Sequence, residues 1–197
     1  MSRVGHVIGN GDNAVMYKPS KGFKVTCNIP PFEVNNVYTT CLVDFKMMKA
    51  MTEGSVYIPG EWTLGYRPKV WMQNNPAFHM KVAQQIKGFY LELPKYVSNY
   101  TDFNCGHMAT HYTANHLQCE EIHMYGFDSI FDFNLRSCTD MYLNADRSLS
   151  NNNRLANNWR PVWGNLFNEF PNTEFIIHHE HSDIKIDLPK NVTVNTK

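Results

Sequence analysis

The sequence predicts an α/β protein, and three stretches carry the prediction. Val4, Val7 and Ile8 are strand formers at the start of the chain, and they run into Gly9-Asn10-Gly11-Asp12-Asn13. Within residues 104–128, a glycine-headed helix precedes a strand at 122–125, which runs into Gly126-Phe127-Asp128. Residues 159–170 turn apolar at helical spacing ahead of a last apolar run at 175–177. Strands and helices that alternate in this way build a mostly parallel, Rossmann-like sheet flanked by helices. A chain of 197 residues, 43% of them hydrophobic, is the size of one domain with an ordinary core. The expected division is a domain over 1–188, with 55–100 a candidate insertion or lid, and a loose tail over 189–197.

The turn after the first strand is the first candidate for a binding site. Glycine has no Cβ and takes backbone angles closed to other residues, so the turn can bring main-chain amides close to a ligand. Amides at a turn or helix N-terminus attract phosphate or carboxylate. Open α/β sheets bind ligands at the carboxyl ends of their strands. The turn is not the six-residue dinucleotide fingerprint, and it lacks the Lys-Ser/Thr of a P-loop. A tight polar turn after an edge strand explains it equally well.

Residues 23–28 read as a second strand, stopped by Pro30-Pro31, because proline cannot donate to a ladder. A third strand at 38–43 ends at Asp44. Residues 45–53 are helical, with Phe45, Met48 and Met51 or Thr52 at three-to-four spacing. Short strands are expected at 55–58, 69–72 and 89–93, with a turn at Asn74-Asn75-Pro76. After Cys105-Gly106, the apolar positions Met108, Ala109, Tyr112, Ala114 and Leu117 suit a helix packed on a sheet. The asparagine-rich stretch 148–158 reads as a mobile loop.

Lys plus Arg and Asp plus Glu number 18 each, so the formal charge is zero. A polyanion binder usually carries a strongly basic face, so general nucleic-acid binding is not expected. Ten Tyr, twelve Phe and four Trp are enough to serve a core and to line a pocket for sugars or bases. Cys27, Cys41, Cys105, Cys119 and Cys138 are odd in number and form no Cys-x-x-Cys pair, which argues against a metal or disulfide framework. Reduced, mostly buried thiols in a cytoplasmic protein are expected. No signal-peptide pattern and no membrane-length apolar stretch is present.

The order of these features resembles the bacterial sialyltransferases of the lipooligosaccharide type, which use CMP-sialic acid. It also resembles the related motility-accessory-factor glycosyltransferases. The likeness rests on Gly9-Asn10-Gly11, on Cys27-Asn28, on a third strand ending at Asp44, and on Cys105-Gly106. It continues through the Glu-Ile-His-Met-Tyr-Gly-Phe-Asp run that ends at Asp128 and the Asn-Glu-Phe-Pro-Asn-Thr-Glu-Phe-Ile-Ile run that begins at Asn168. The motifs are short but cover most of the chain in order.

The resemblance implies that Gly9, Asn10, Gly11, Asp12, Asn13 and Asn28 hold a nucleotide, with Asp44, Cys105, Gly106 and Gly126 at the same rim. It implies no required cofactor; a nucleotide-sugar donor would be the substrate and a glycan or other hydroxyl the acceptor. A homo-oligomer is compatible with it. Three departures stand out. Cys105 replaces a Ser/Thr hydroxyl. Asp44 stands where Asn is common. Asp12-Asn13 replaces Pro-Ser and puts negative charge near a phosphate, unless Asp12 binds ribose hydroxyls or a metal.

The family's histidine base ahead of the last helix is also missing, because that stretch reads Asn151-Asn152-Asn153-Arg154. Arg154 can neutralise a leaving phosphate but cannot act as a base. Tyr142 is the candidate phosphate-steadying tyrosine. His107, in the first turn of its helix, is a candidate acid or base near neutral pH, or simply a polar helix-terminal residue. Asp128 either orients a reacting group or caps a turn. A nucleotide-binding module without catalysis is the alternative function.

His178-His179-Glu180-His181 invites a metal reading. On a strand, His178 and Glu180 share one face while His179 and His181 share the other. A site would use one pair plus distant ligands. Strand-end histidines are the commoner explanation, and no metal is expected.

Overall fold

A computed structural model describes residues 1–133, 137, 143 and 149–197. The strands are β1 (Val4–Ile8), β2 (Phe23–Cys27), β3 (Val37–Leu42), β4 (Trp62–Leu64), β5 (Ile86–Phe89), β6 (Glu121–Tyr125), β7 (Glu174–His178) and β8 (Val192–Asn195). They form one sheet in the order β5-β4-β3-β2-β1-β6-β7-β8, and every neighbouring pair runs parallel. All the carboxyl ends therefore lie along one rim. The chain lays β2 to β5 outward from β1, then returns to place β6 on the other side of β1. The order thus reverses between β1 and β6, where sheets of this kind bind their ligands.

A parallel sheet needs cover on both faces. On one face, α4 (Cys105–Asn115) and α6 (Arg160–Glu169) pack Met108, Tyr112, Trp163 and Phe167 against Val7, Val25, Met124 and Phe175. On the other, α1 (Phe45–Thr52), α2 (Tyr66–Asn74) and α3 (Pro76–Val82) cover β3 and β4 through Met48, Met72 and Phe78. Beside them Ile8, Ala14 and Tyr125 form a smaller cluster. The four described cysteines, Cys27, Cys41, Cys105 and Cys119, are unpaired and buried.

The α/β class is as the sequence predicts, and several elements differ. Residues 55–100 supply β4, α2, α3 and β5 and widen the sheet. The stretch 69–72 lies inside α2, where Pro68 and Met72, four apart, are the buried positions. Residues 55–58 form no strand. The tail after Pro189 is tied down by β8, which pairs with β7 from Phe175↔Val192 to His178↔Asn195. From Leu149 on, the asparagine-rich stretch is helical: α5 (Leu149–Arg154) continues through a π-helical turn (Leu155–Trp159) into α6. Side chains from this stretch bond outward, with Asn158 Nδ2 donating to Asp102 at 3.2 Å. Among the described residues no helix is long and apolar enough to cross a membrane.

Candidate functional site

The pairing of β1 with β6 does not stop where the strands end. Gly9 N donates to Tyr125 O at 2.7 Å and Gly11 N to Gly126 O at 3.0 Å. The approach is close enough that a Cβ on Gly9 would sit 2.8 Å from the Gly126 carbonyl oxygen. Gly126 takes φ +78, and its own Cβ would meet Ala14 at 2.9 Å. These glycines let two strand ends pack backbone to backbone. The amides of Gly9 and Gly11, expected to meet a phosphate, are instead engaged within the protein.

A cleft of about 230 Å³ opens beside this junction. The expected binding positions line it, except Asp12 and Asn13: Gly9, Asn10, Gly11, Asn28, Asp44, Cys105, Gly106 and Gly126 all contribute, together with Asp128. Asp12 is exposed and Asn13 is buried. A larger groove of about 560 Å³ runs between α6 and residues 184–187, away from the β1 and β6 tips.

Each lining residue is held by its own bonds. Asn10 Nδ2 donates to Cys27 O at 2.8 Å and Ile29 O at 2.7 Å, clasping the end of β2. Asn28 sits in the left-handed region at φ 52, which asparagine tolerates better than most residues. Its Nδ2 donates to Asn10 Oδ1 at 3.3 Å. Its Oδ1 is buried and finds no hydrogen-bond partner among the described residues. Asp44 precedes α1 and accepts from Arg67 Nη2 at 3.1 Å. The Cys105 thiol donates to Cys41 O at 3.0 Å, towards the core. Its contact with Cys27, then burial, raises its pKa well above that of a free thiol. Cys105 and Gly106 are the first two residues of α4, whose amides have no partner within the helix.

Asp128 sits at the meeting point of three loops. Asn13 Nδ2 donates to its Oδ1 at 3.1 Å, and Asn13 N lies 3.4 Å from both carboxylate oxygens. Asn13 Oδ1 in turn accepts from Glu180 N, after β7, at 2.9 Å. Burial raises the Asp128 pKa above the usual carboxylate value, against these hydrogen bonds and nearby His179.

The other catalytic candidates lie elsewhere. His107 is fully buried. Its Nδ1 accepts from Asn104 N at 3.1 Å while Asn104 Oδ1 accepts from His107 N, a reciprocal helix cap. Its Nε2 bonds Trp159 O at 3.1 Å, and burial pushes its pKa down to about 3. Both ring nitrogens are occupied under the helix start, so the ring is no acid or base at the rim. Arg154 is bound to Thr101 O at 2.9 Å and to Asp102 at 3.4 Å and is absent from the cleft lining. Tyr142 lies outside the described residues.

No protein-family model, curated protein or solved structure matches the chain. The geometry of the rim is therefore the ground for a functional conclusion.

Two features have little or no signature in the sequence. Arg160 is buried, and donates from Nε to Ser129 O at 2.8 Å and from Nη2 to Asp132 O at 3.0 Å, bracing the loop after β6. Asp132 joins His179, Glu180 and His181 in a compact cluster on the neighbouring part of the rim. The His179/His181 alternation is a visible signal for half of this cluster. Nothing in the sequence points to Asp132.

Proposed function

We propose that the cleft binds a nucleotide, with phosphate at the N-terminus of α4 and the sugar or base against Asn28 and Asp44. The chemistry served is transfer of a sugar from that nucleotide to a hydroxyl acceptor. The observation that carries the reading is the Asn28 Oδ1 acceptor, left without a partner among the described residues in the wall of the cleft at the β1–β6 reversal. Buried acceptors are nearly always satisfied, and a ribose hydroxyl or a base amino group would supply the donor. The amides of Cys105 and Gly106, without a partner inside the helix, and the positive end of the α4 dipole suit a phosphate. No Lys or Arg lines the cleft among the described residues, so amides rather than cations would meet the charge.

Transfer also needs an oriented acceptor and a base. Asp128 is a carboxylate in the lining whose pKa is raised by burial, which suits it to accept a proton. A second reading, a nucleotide-binding module without turnover, draws on the placement of His107 and Arg154 away from the cleft.

Calorimetric titration with CMP, UDP and GDP tests the binding. Asn28→Gly keeps the left-handed backbone without strain and removes the acceptor. It is expected to weaken binding about tenfold, with circular dichroism confirming the fold. If none of the three nucleotides binds at millimolar concentration, the reading fails. Nucleotide release from CMP-, UDP- and GDP-sugars that Asp128→Asn abolishes would support transfer; binding without release favours the module.

A further inference from the structure

β7 ends at His178, and the chain beyond it leaves strict strand alternation. His179 comes next, with no exposed surface. Its ring lies flat on Phe131, with centroids 3.6 Å apart and planes 6° apart, and stands at 89° to the ring of His181. Neither ring nitrogen has a hydrogen-bond partner among the described residues. The groups they face are carboxylates: Asp128 Oδ1 is 3.8 Å from Nδ1, and Asp132 Oδ2 is 3.6 Å from Nε2. The same Asp132 oxygen accepts from His181 Nε2 at 3.0 Å. Glu180 lies between the two histidines in sequence, with its backbone anchored by Asn13. One ligand atom from each of Asp132, His179, Glu180 and His181 lies within 4.8 Å of the others.

We propose that Asp132, His179, Glu180 and His181 bind one divalent transition-metal ion of the zinc class, with Asp128 acting as a positioning residue for His179.

The donor set selects the metal. Two imidazoles and two carboxylates suit zinc, cobalt or nickel, whereas magnesium and calcium take oxygen ligands almost exclusively. Spacing agrees. Ligands about 2 Å from a tetrahedral ion stand roughly 3.3 Å from one another, and the two carboxylate–imidazole separations, 3.6 and 3.0 Å, bracket that value.

The surrounding shell has the parts such a site needs. A metal-bound histidine normally donates its other ring N–H to a carboxylate or carbonyl, and Asp128 stands at Nδ1 of His179 in that place. Phe131 holds the ring plane. Arg160 fixes the backbone of Asp132 through its carbonyl. His181 Nδ1 accepts from Asp183 N at 3.2 Å, which puts the ring proton on Nε2, towards Asp132. Loading through Nε2 would move that proton to Nδ1 and release the amide of exposed Asp183.

The test uses full-length protein without a histidine tag, stripped with a chelator and titrated with Zn²⁺ by calorimetry. Co²⁺ then reports geometry by visible absorption. One Zn²⁺ per chain is expected, unaffected by excess Mg²⁺, together with the strong visible bands of tetrahedral Co²⁺. His181→Ala and Asp132→Asn are each expected to weaken Zn²⁺ binding at least tenfold. Asp128→Asn should weaken it about tenfold and shift the Co²⁺ bands, which a merely structural role would not do. His123→Ala, in a separate histidine cluster, should leave the affinity unchanged. Because His179 is buried, the partly exposed His181 carries the decisive variant, with circular dichroism confirming the fold. Absence of stoichiometric Zn²⁺ binding by the wild type overturns the proposal. So does affinity lost in His123→Ala and kept in His181→Ala.

Discussion

Two histidine clusters flank the end of β7, and consecutive residues feed them. His178 joins His6 and His123 on the face opposite α4 and α6. There His123 Nδ1 and His178 Nε2 share a hydrogen bond of 2.9 Å, and His123 Nε2 meets Glu121 at 2.7 Å. His6 bonds Lys21 O at 2.9 Å. The rings stack, His6 on His123 at 5.1 Å and His123 on His178 at 5.2 Å. One residue on, His179 is the more deeply buried and has carboxylates in view but no bond to them. Burial lowers the pKa of His6, His178 and His179 alike. Burial and titration therefore do not separate a structural cluster from a candidate site; the ring nitrogens of His179, without a partner among the described residues, do.

Metal should separate the two clusters most strongly. At a Zn²⁺ concentration about 100-fold above the dissociation constant, the folded state should gain about 2.7 kcal/mol. For a chain of this size that raises Tm by roughly 5–11 °C. The gain should vanish in His181→Ala and persist in His123→Ala, as differential scanning calorimetry would show. Equal loss in both variants would mean the clusters do not differ.

Asn13 distinguishes them at the next level. It bonds Asp128 and Glu180, so it supports the second cluster and not the first. Asn13→Ala leaves buried partners unpaired and should cost about 1–3 kcal/mol in urea unfolding, with Zn²⁺ affinity reduced as well.

Acid titration addresses the first cluster. His178 has its pKa depressed to about 4, first by burial and then by His123 and His6. The unfolded chain therefore binds the proton more readily, and stability present above pH 6.5 is lost as pH falls towards 4. Buried His107, at about 3, extends the loss further down. In metal-free protein the urea midpoint should fall over that interval, and His178→Gln should flatten its upper part. A midpoint independent of pH from 7 to 4 would contradict the assignment.

The parts of this fold that were legible in the sequence are those with local signatures. β1, β2, β3, α4 and β6 carry apolar runs punctuated by Gly, Pro or Asn, and the cleft positions sit at their ends. β4 is three residues long and buried on both sides, so it offers no alternation to detect. Val70, Trp71 and Met72 have strand-like composition, but the burial of Pro68 and Met72 on one helical side decided their state. The role of the glycines was half legible. Their need for close approach was readable, but not that the partner would be another strand end rather than a ligand. Asp132 reaches His179 only through the tertiary fold, and no spacing rule finds such a pair.

One side chain, Asn13, touches the loops that succeed β1, β6 and β7 at once, and Asp128 belongs to both the cleft wall and the imidazole cluster. Two occupants there would not be thermodynamically independent. Whatever factor a bound nucleotide applies to ion affinity, the ion must return to the nucleotide in full. Measuring either constant alone would thus fix only one corner of a closed cycle.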